Sequence, residues 1–426
     1  MYRIAIEDLK KWKENKKRKP LIIEGARQVG KTWLLKKFGE EFFENYVYVD
    51  LEEDGLAREI FDGSFEPERI VSRLAIHKGV EIVPGKTLII VDEAQENPRA
   101  LTALKYFYEN SPEYHIIVAG SLLGITLHQD FSFPVGKVET LRINPLTFKE
   151  FLIALGKKKL AESLEKKEFE LLAPFHESLI ELLKVYMVVG GMPEVVETYL
   201  EDKTLLNVRE VQKRILYDYE RDFSKHANKF DVPRITEIFN IVPTVLAKEN
   251  KKFMFGMIKQ SARAREYESA LLWLTDAGIA TRVNRVKKIA VPLSAYLDLG
   301  AFKLFLVDVG LLGCKAGLRP ETIYDEKNFA EFKGALAEQF VFQELHSRGR
   351  DVFYYSGDDS SLEIDFLIDT EEGLRPIEVK SGKNLASASL KKILEANKDL
   401  VAVKFSGLPY MENERIVNMP LYMAGF

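Results

Sequence analysis

Gly25-Ala26-Arg27-Gln28-Val29-Gly30-Lys31-Thr32 follows the apolar run Leu21-Ile22-Ile23 directly and precedes Trp33-Leu34-Leu35-Lys36-Lys37-Phe38, whose pattern is helical. A strand that turns sharply into a helix leaves backbone N–H groups aimed at one point by the positive helix end, where phosphate oxygens bind. Gly25 and Gly30 permit that turn. Lys31 reaches the β- and γ-phosphates as a point charge, and the Thr32 hydroxyl takes one position on Mg²⁺. The expected nucleotide contact runs from Gly25 through Ala26, Arg27, Gln28, Val29, Gly30, Lys31 and Thr32 to Trp33, with Arg27 and Gln28 facing outward.

A second segment, Thr87-Leu88-Ile89-Ile90-Val91-Asp92-Glu93-Ala94-Gln95, is apolar and β-branched but too short to span a membrane. It reads as a buried parallel strand. Asp92 at its carboxyl end is placed to support Mg²⁺, and Glu93 to polarise the attacking water. The same two carboxylates could instead cap the next helix. With a phosphate loop about 60 residues upstream, nucleotide hydrolysis is the stronger reading.

The 426-residue chain is long enough for two to four domains. Its net charge of −4 gives no global attraction to nucleic acid, so any basic surface has to be local. A single cysteine, Cys314, excludes a disulfide framework and suits a reducing cytoplasm. No run approaches the roughly 18 apolar residues of a spanning helix, and no signal-peptide core is visible at the N-terminus. The expected location is cytoplasmic, with no membrane partner.

Four regions are expected. Residues 1–150 alternate strands with amphipathic stretches, the pattern of an α/β doubly wound parallel sheet. Tyr46–Leu51 is a second strand and Tyr114–Ser121 a fourth. Ser121 ends its strand as Asp92 ends its own, so it reads equally as a γ-phosphate sensor or as the cap of the next turn. Residues 151–248 have helical periodicity, interrupted by Tyr186-Met187-Val188-Val189-Gly190-Gly191-Met192-Pro193. The glycine pair followed by proline is a bend, with a packing role preferred over ligand contact.

Residues 249–297 form the third region, and within 251–290 nine Lys or Arg stand against three acids. A short helix from Met257-Ile258, a second at Glu268–Leu274 and a strand after Gly278 are compatible with a winged helix-turn-helix. Its basic surface could meet DNA phosphates or serve as a packing unit. In the fourth region, 298–426, Leu362–Ile368 and Arg375–Lys380 alternate like the strands of a hairpin. Glu378 and Lys380 share one face, and Asp365 should lie near Glu378. Asp365 and Glu378 could bind one Mg²⁺ while Lys380 orients a water, and Glu338 could project from an upstream helix into the same site. The alternative is a hairpin with a solvated charged face.

These segments, in this order, resemble a prokaryotic family of AAA-type P-loop ATPases with a C-terminal DUF4143 domain. The resemblance rests on Gly25–Thr32, Leu88–Gln95, Val118–Ser121, Val189–Pro193, Phe302–Leu311, Ile364-Asp365 and Ile377–Lys380. It implies an AAA-type ATPase domain, a helical and winged-helix middle and a C-terminal α/β fold similar to the PD-(D/E)xK nucleases. Glu338, Asp365, Glu378 and Lys380 fall on the nuclease pattern. The resemblance also implies ATP rather than another nucleotide, and the expected partners are ATP with Mg²⁺, DNA, and a protein or further copies of the chain. AAA-type ATPases commonly borrow an arginine finger from a neighbouring subunit. Lys137 and Arg142 stand at a plausible distance after the fourth strand, but either could pair with surface acids.

Overall fold

Short β-branched runs separated by amphipathic helices build the first unit of a computed structural model of the chain. The structure describes residues 1–126, 133–248, 251–324, 330–357, 362–382 and 387–426. Two compact units result: Met1–Asn144 with Asp276–Gly278, and Pro145–Thr275 with Ile279–Phe426.

In the first unit, β1 (Leu21–Glu24), β2 (Asn45–Asp50), β3 (Thr87–Asp92), β4 (His115–Ala119) and β5 (Glu139–Arg142) form one sheet in the order β2-β3-β4-β1-β5. Every neighbouring pair is parallel. All residues of β3 and β4 are buried, as expected of strands covered on both faces. One layer of the core joins Val47, Val49, Ile89, Val91, Ile116 and Val118 to the apolar sides of the helices Gly55–Gly63, Pro67–Lys78 and Arg99–Asn110. The parallel order brings the ends of β1 and β3 and the residues just beyond β4 to the same edge, where βα turns carry function.

Among its described residues the second unit holds eight further strands: β6 (Ala280–Val286), β7 (Leu297–Leu306), β8 (Phe353–Ser356), β9 (Glu363–Thr370), β10 (Gly373–Val379), β11 (Ala402–Ser406), β12 (Met411–Asn413) and β13 (Ile416–Pro420). They form a mixed sheet in the order β12-β13-β11-β10-β9-β8-β6-β7. β9 and β10 make the expected hairpin, with Ile377 opposite Phe366 and Gly373 opposite Thr370.

The expected division at 297/298 does not appear as a structural boundary. β6 pairs antiparallel with β7 and parallel with β8, so the segment read as a winged helix contributes strands to the same sheet as the hairpin. Residues 151–248, 249–297 and 298–426 thus fall in one unit, apart from Asp276–Gly278, and the first unit stops at Asn144 rather than 150. The short helix expected from Met257-Ile258 is a 3₁₀ turn over Phe255–Met257. Phe253 and Phe255 there pack on the Phe302 ring of β7, and Phe253 N–H donates to the Phe302 carbonyl.

The glycine pair at 190–191 closes a knot of buried polar groups. The helix His176–Val189 ends at Gly190, whose φ of 74° and ψ of −167° lie in a region that only glycine occupies readily. A Cβ on Gly190 would stand 2.1 Å from Asp308 Oδ1. Asp308 accepts from Gly191 N–H at 2.6 Å and from Leu311 N–H at 2.9 Å. Gln212 donates to the carbonyls of Val188 and Val189, and Gln343 accepts from Val309 N–H. Gly190 and Gly191 therefore serve packing between two chain segments more than a hundred residues apart.

Candidate functional site

The loop after β1 turns as its glycines require. Gly25 has φ +147°, and a Cβ there would meet the Ile143 carbonyl oxygen at 2.3 Å. Gly30, at φ 88°, starts the helix Lys31–Phe42, and no side chain caps it. That uncapped helix end suits an anion. Lys31 is buried and donates to the carbonyls of Gly25 and Ala26, at 2.9 Å each. Burial pulls its ammonium down to about 8, against the opposing attraction of Glu93 and Asp92.

Thr32 Oγ1 donates to Asp92 Oδ2 at 2.6 Å, joining residues 60 positions apart. The two oxygen donors expected to serve one Mg²⁺ are in contact. Asp92 Oδ1 accepts from Glu93 N–H. Glu93 has φ 50°, an uncommon value for a residue with a side chain. Burial raises the pKa of its carboxyl, opposed by a hydrogen bond from Gln95 Nε2 to Glu93 Oε2 at 2.5 Å. A carboxyl raised in this way is closer to the proton affinity a general base needs.

The loop's remaining residues divide. Ala26 and Val29 are buried, while Trp33 is 41% exposed. Arg27 and Gln28 do not simply face outward: both are half-buried, and the charge of Arg27 acts on both Lys31 and Glu93. Ser121 is buried and lies two residues past β4, where it lines a cavity of about 220 Å³ together with Glu24, Gly25, Gly120 and Arg142. Lys137, considered as an arginine-finger substitute, forms an ion pair with Glu109 at 3.2 Å.

Three residues that the sequence did not single out brace this site. Tyr48 on β2 donates to Asp92 Oδ2 at 3.2 Å, and burial with the charges of Asp92 and Asp50 raises its phenol well above the usual range. Its pairing opposite Ile90 on β3 brings it to Asp92, and nothing local to β2 in the sequence indicates that. Arg3 is buried and donates to the Val29 carbonyl at 2.8 Å. Gln95 was within the quoted strand segment, but its contact with Glu93 depends on a local turn.

The second cluster gathers on β7, β9, β10 and the helix Ala330–Ser347. Glu338, Asp365, Glu378 and Lys380 do converge, but they bring cations with them. Lys303 on β7 is 1% exposed, with Nζ 2.8 Å from Glu363 Oε1 and 3.7 Å from Glu338 Oε2. Lys251 pairs with Glu338 Oε1, and Lys380 pairs with Glu378 at 2.7 Å. Val379 N–H donates to Asp365 Oδ2 at 2.7 Å. Burial and the neighbouring Glu338 push the Asp365 carboxyl upward. Burial alone would lower the pKa of Lys303, yet Glu338, Glu363 and Asp365 outweigh it and hold the ammonium above its ordinary range.

Asp365 and Glu378, expected to share a metal, thus meet an N–H and an ammonium. Among the described residues, no three His, Cys, Asp or Glu side chains converge as a metal-holding group. Lys251 and Lys303 were legible only as charges within basic or apolar runs. Nor is the basic middle segment a uniform patch: Lys251 pairs inward, Arg285 reaches Asp298 at 3.4 Å, and Arg282 lies over the Phe302 ring.

Residues 17–152 match the family profile of an AAA domain. The chain carries an AAA domain. Residues 333–422 match the domain of unknown function DUF4143, and residues 180–322 a further one, DUF8612. No curated protein matches the chain in sequence. Among solved structures it is similar to the Walker-type ATPase PABY2304 of Pyrococcus abyssi, with 16% identity over 73% of this chain and 94% of that one at a TM-score of 0.47. It is also similar to the ORC1 protein of Aeropyrum pernix in complex with DNA, at 13% identity over 74% and 93% with a TM-score of 0.29. AMPPCP-bound DnaA from Aquifex aeolicus follows at 16% identity over 64% and 86%, TM-score 0.30. The AAA domain coincides with the five-stranded parallel sheet and includes both the phosphate loop and Asp92-Glu93. No helix among the described residues is long and apolar enough to cross a membrane.

Proposed function

We propose that the AAA domain binds ATP with Mg²⁺ and hydrolyses it, and that its nucleotide state controls the second unit. The observation that carries this reading is the 2.6 Å contact between Thr32 and Asp92, beside an uncapped helix start and a buried lysine. Bound Mg²⁺ supplies charge neutralisation between the phosphates. Thr32 and Asp92 are the residues that would hold it. Lys31 exchanges two carbonyl acceptors for phosphate oxygens, a stronger partner for an ammonium. Glu93 takes the proton of the attacking water at its carboxylate, oriented by the Gln95 amide, and Ser121 is assigned to sensing the γ-phosphate.

Control of the second unit is supported by connectivity, since the chain passes between the units at 144/145, 275/276 and 278/279. DNA is the partner we assign to the exposed cations Arg263, Arg265, Lys287 and Lys288. A second reading, a nucleotide-gated binding protein without nucleic-acid cleavage, is favoured by the lysines that occupy the carboxylate cluster. Equilibrium binding of ATP with Mg²⁺ tests the primary claim. Lys31→Ala is expected to weaken affinity by roughly 10- to 100-fold, the loss of a charged hydrogen bond worth about 1.5–3 kcal/mol. Unchanged affinity would remove the nucleotide site from this loop.

A further inference from the structure

The carboxylates that match a nuclease pattern are not arranged around a vacant point. Lys303 lies on a strand whose last six residues are all buried, and a lysine there is tolerated only because carboxylates surround it. Its ammonium reaches toward Glu363 on β9 and Glu338 on the helix, over the face of the Tyr354 ring at 5.0 Å. Lys251 occupies the other oxygen of Glu338, so both oxygens of that carboxylate face an ammonium. Asp365 accepts a backbone N–H with one oxygen, and the charge of Glu338 acts on its carboxyl. Four carboxyl groups, Glu338, Glu363, Asp365 and Glu378, thus stand among the three ammoniums of Lys251, Lys303 and Lys380.

Mg²⁺ requires oxygen ligands in a near-octahedral shell at about 2.0–2.1 Å. Lys303 between Glu363 and Glu338, Lys251 on the other oxygen of Glu338 and Lys380 on Glu378 occupy oxygens that such a shell would need, and they repel the ion by charge. We infer that Lys303 is a tethered cation that takes the place of a divalent metal, so that this cluster pins β7, β9, β10 and the helix Ala330–Ser347 together without metal chemistry. Glu363, on the hairpin, and Glu338, on the helix, are the two carboxylates through which Lys303 makes that connection. The inference does not depend on the ATPase reading, because every residue in it belongs to the second unit.

The test is a Mn²⁺ titration of the nucleotide-free full chain, followed by the paramagnetic signal of free Mn²⁺. Wild type and Asp365→Asn are expected to bind Mn²⁺ indistinguishably, because Asp365 holds none. Lys303→Met removes the internal cation and leaves its carboxylates uncompensated. It is expected to gain one Mn²⁺, bound tighter than any in the wild type by roughly tenfold or more, and Lys303→Met/Asp365→Asn is expected to lose it. Weaker Mn²⁺ binding in Asp365→Asn than in wild type would overturn the inference, as would a folded Lys303→Met chain that gains no ion. If Lys303→Met does not fold, the comparison of wild type with Asp365→Asn still decides between the two outcomes.

Discussion

Lys31 carries a pH signature that an exposed lysine would not. Burial lowers its ammonium to about 8, and the proposed ATP contact needs the charged form. Below that value the lysine is already protonated, so affinity should be flat with pH. Above it, binding must first add a proton, and ATP affinity should fall by up to about tenfold per pH unit. Calorimetric titrations from pH 6.5 to 9.5 check this, and an affinity that stays flat through pH 9.5 would deny Lys31 its phosphate contact. The residues of this site that were legible in the sequence, Lys31, Thr32, Asp92 and Glu93, have positions set by one local turn each. Tyr48 and Arg3 were not legible, because each meets its partner across the sheet or from the chain's start. The Thr32 to Asp92 contact joins two such turns, which the sequence linked only through a shared Mg²⁺.

Among elements, the bend at Gly190-Gly191 shows what sequence order conceals. A glycine pair before proline announces a helix end, but Asp308 lies 117 residues beyond the N–H it accepts. Nothing local to either segment indicates the other. Gly190→Ala should place a Cβ against Asp308 Oδ1 and force an ordinary residue into a glycine-only conformation, which alone costs about 1–3 kcal/mol. Equilibrium denaturation should show the second unit destabilised by at least that amount. A variant of unchanged stability would return the bend to the ligand-contact reading. The hairpin of β9 and β10 was legible for the opposite reason: its alternation and short turn are contiguous. Its opposing lysines were not, since Lys251 and Lys303 come from other elements.

For the whole molecule, four expected regions reduce to two units. The first was legible because its strands repeat a simple βα pattern. The second was divided too finely because a sheet assembled from non-consecutive strands leaves no periodic trace, as the parallel pairing of β6 with β8 shows. The proposed ATP hydrolysis by the AAA domain places the central weight on Glu93. The direct measurement is ATP turnover with Mg²⁺ in Glu93→Gln, alongside its ATP affinity. Affinity should stay at the wild-type level while turnover falls by about 100-fold or more, the loss expected of a general base. Turnover at the wild-type rate in that variant would contradict hydrolysis at this site.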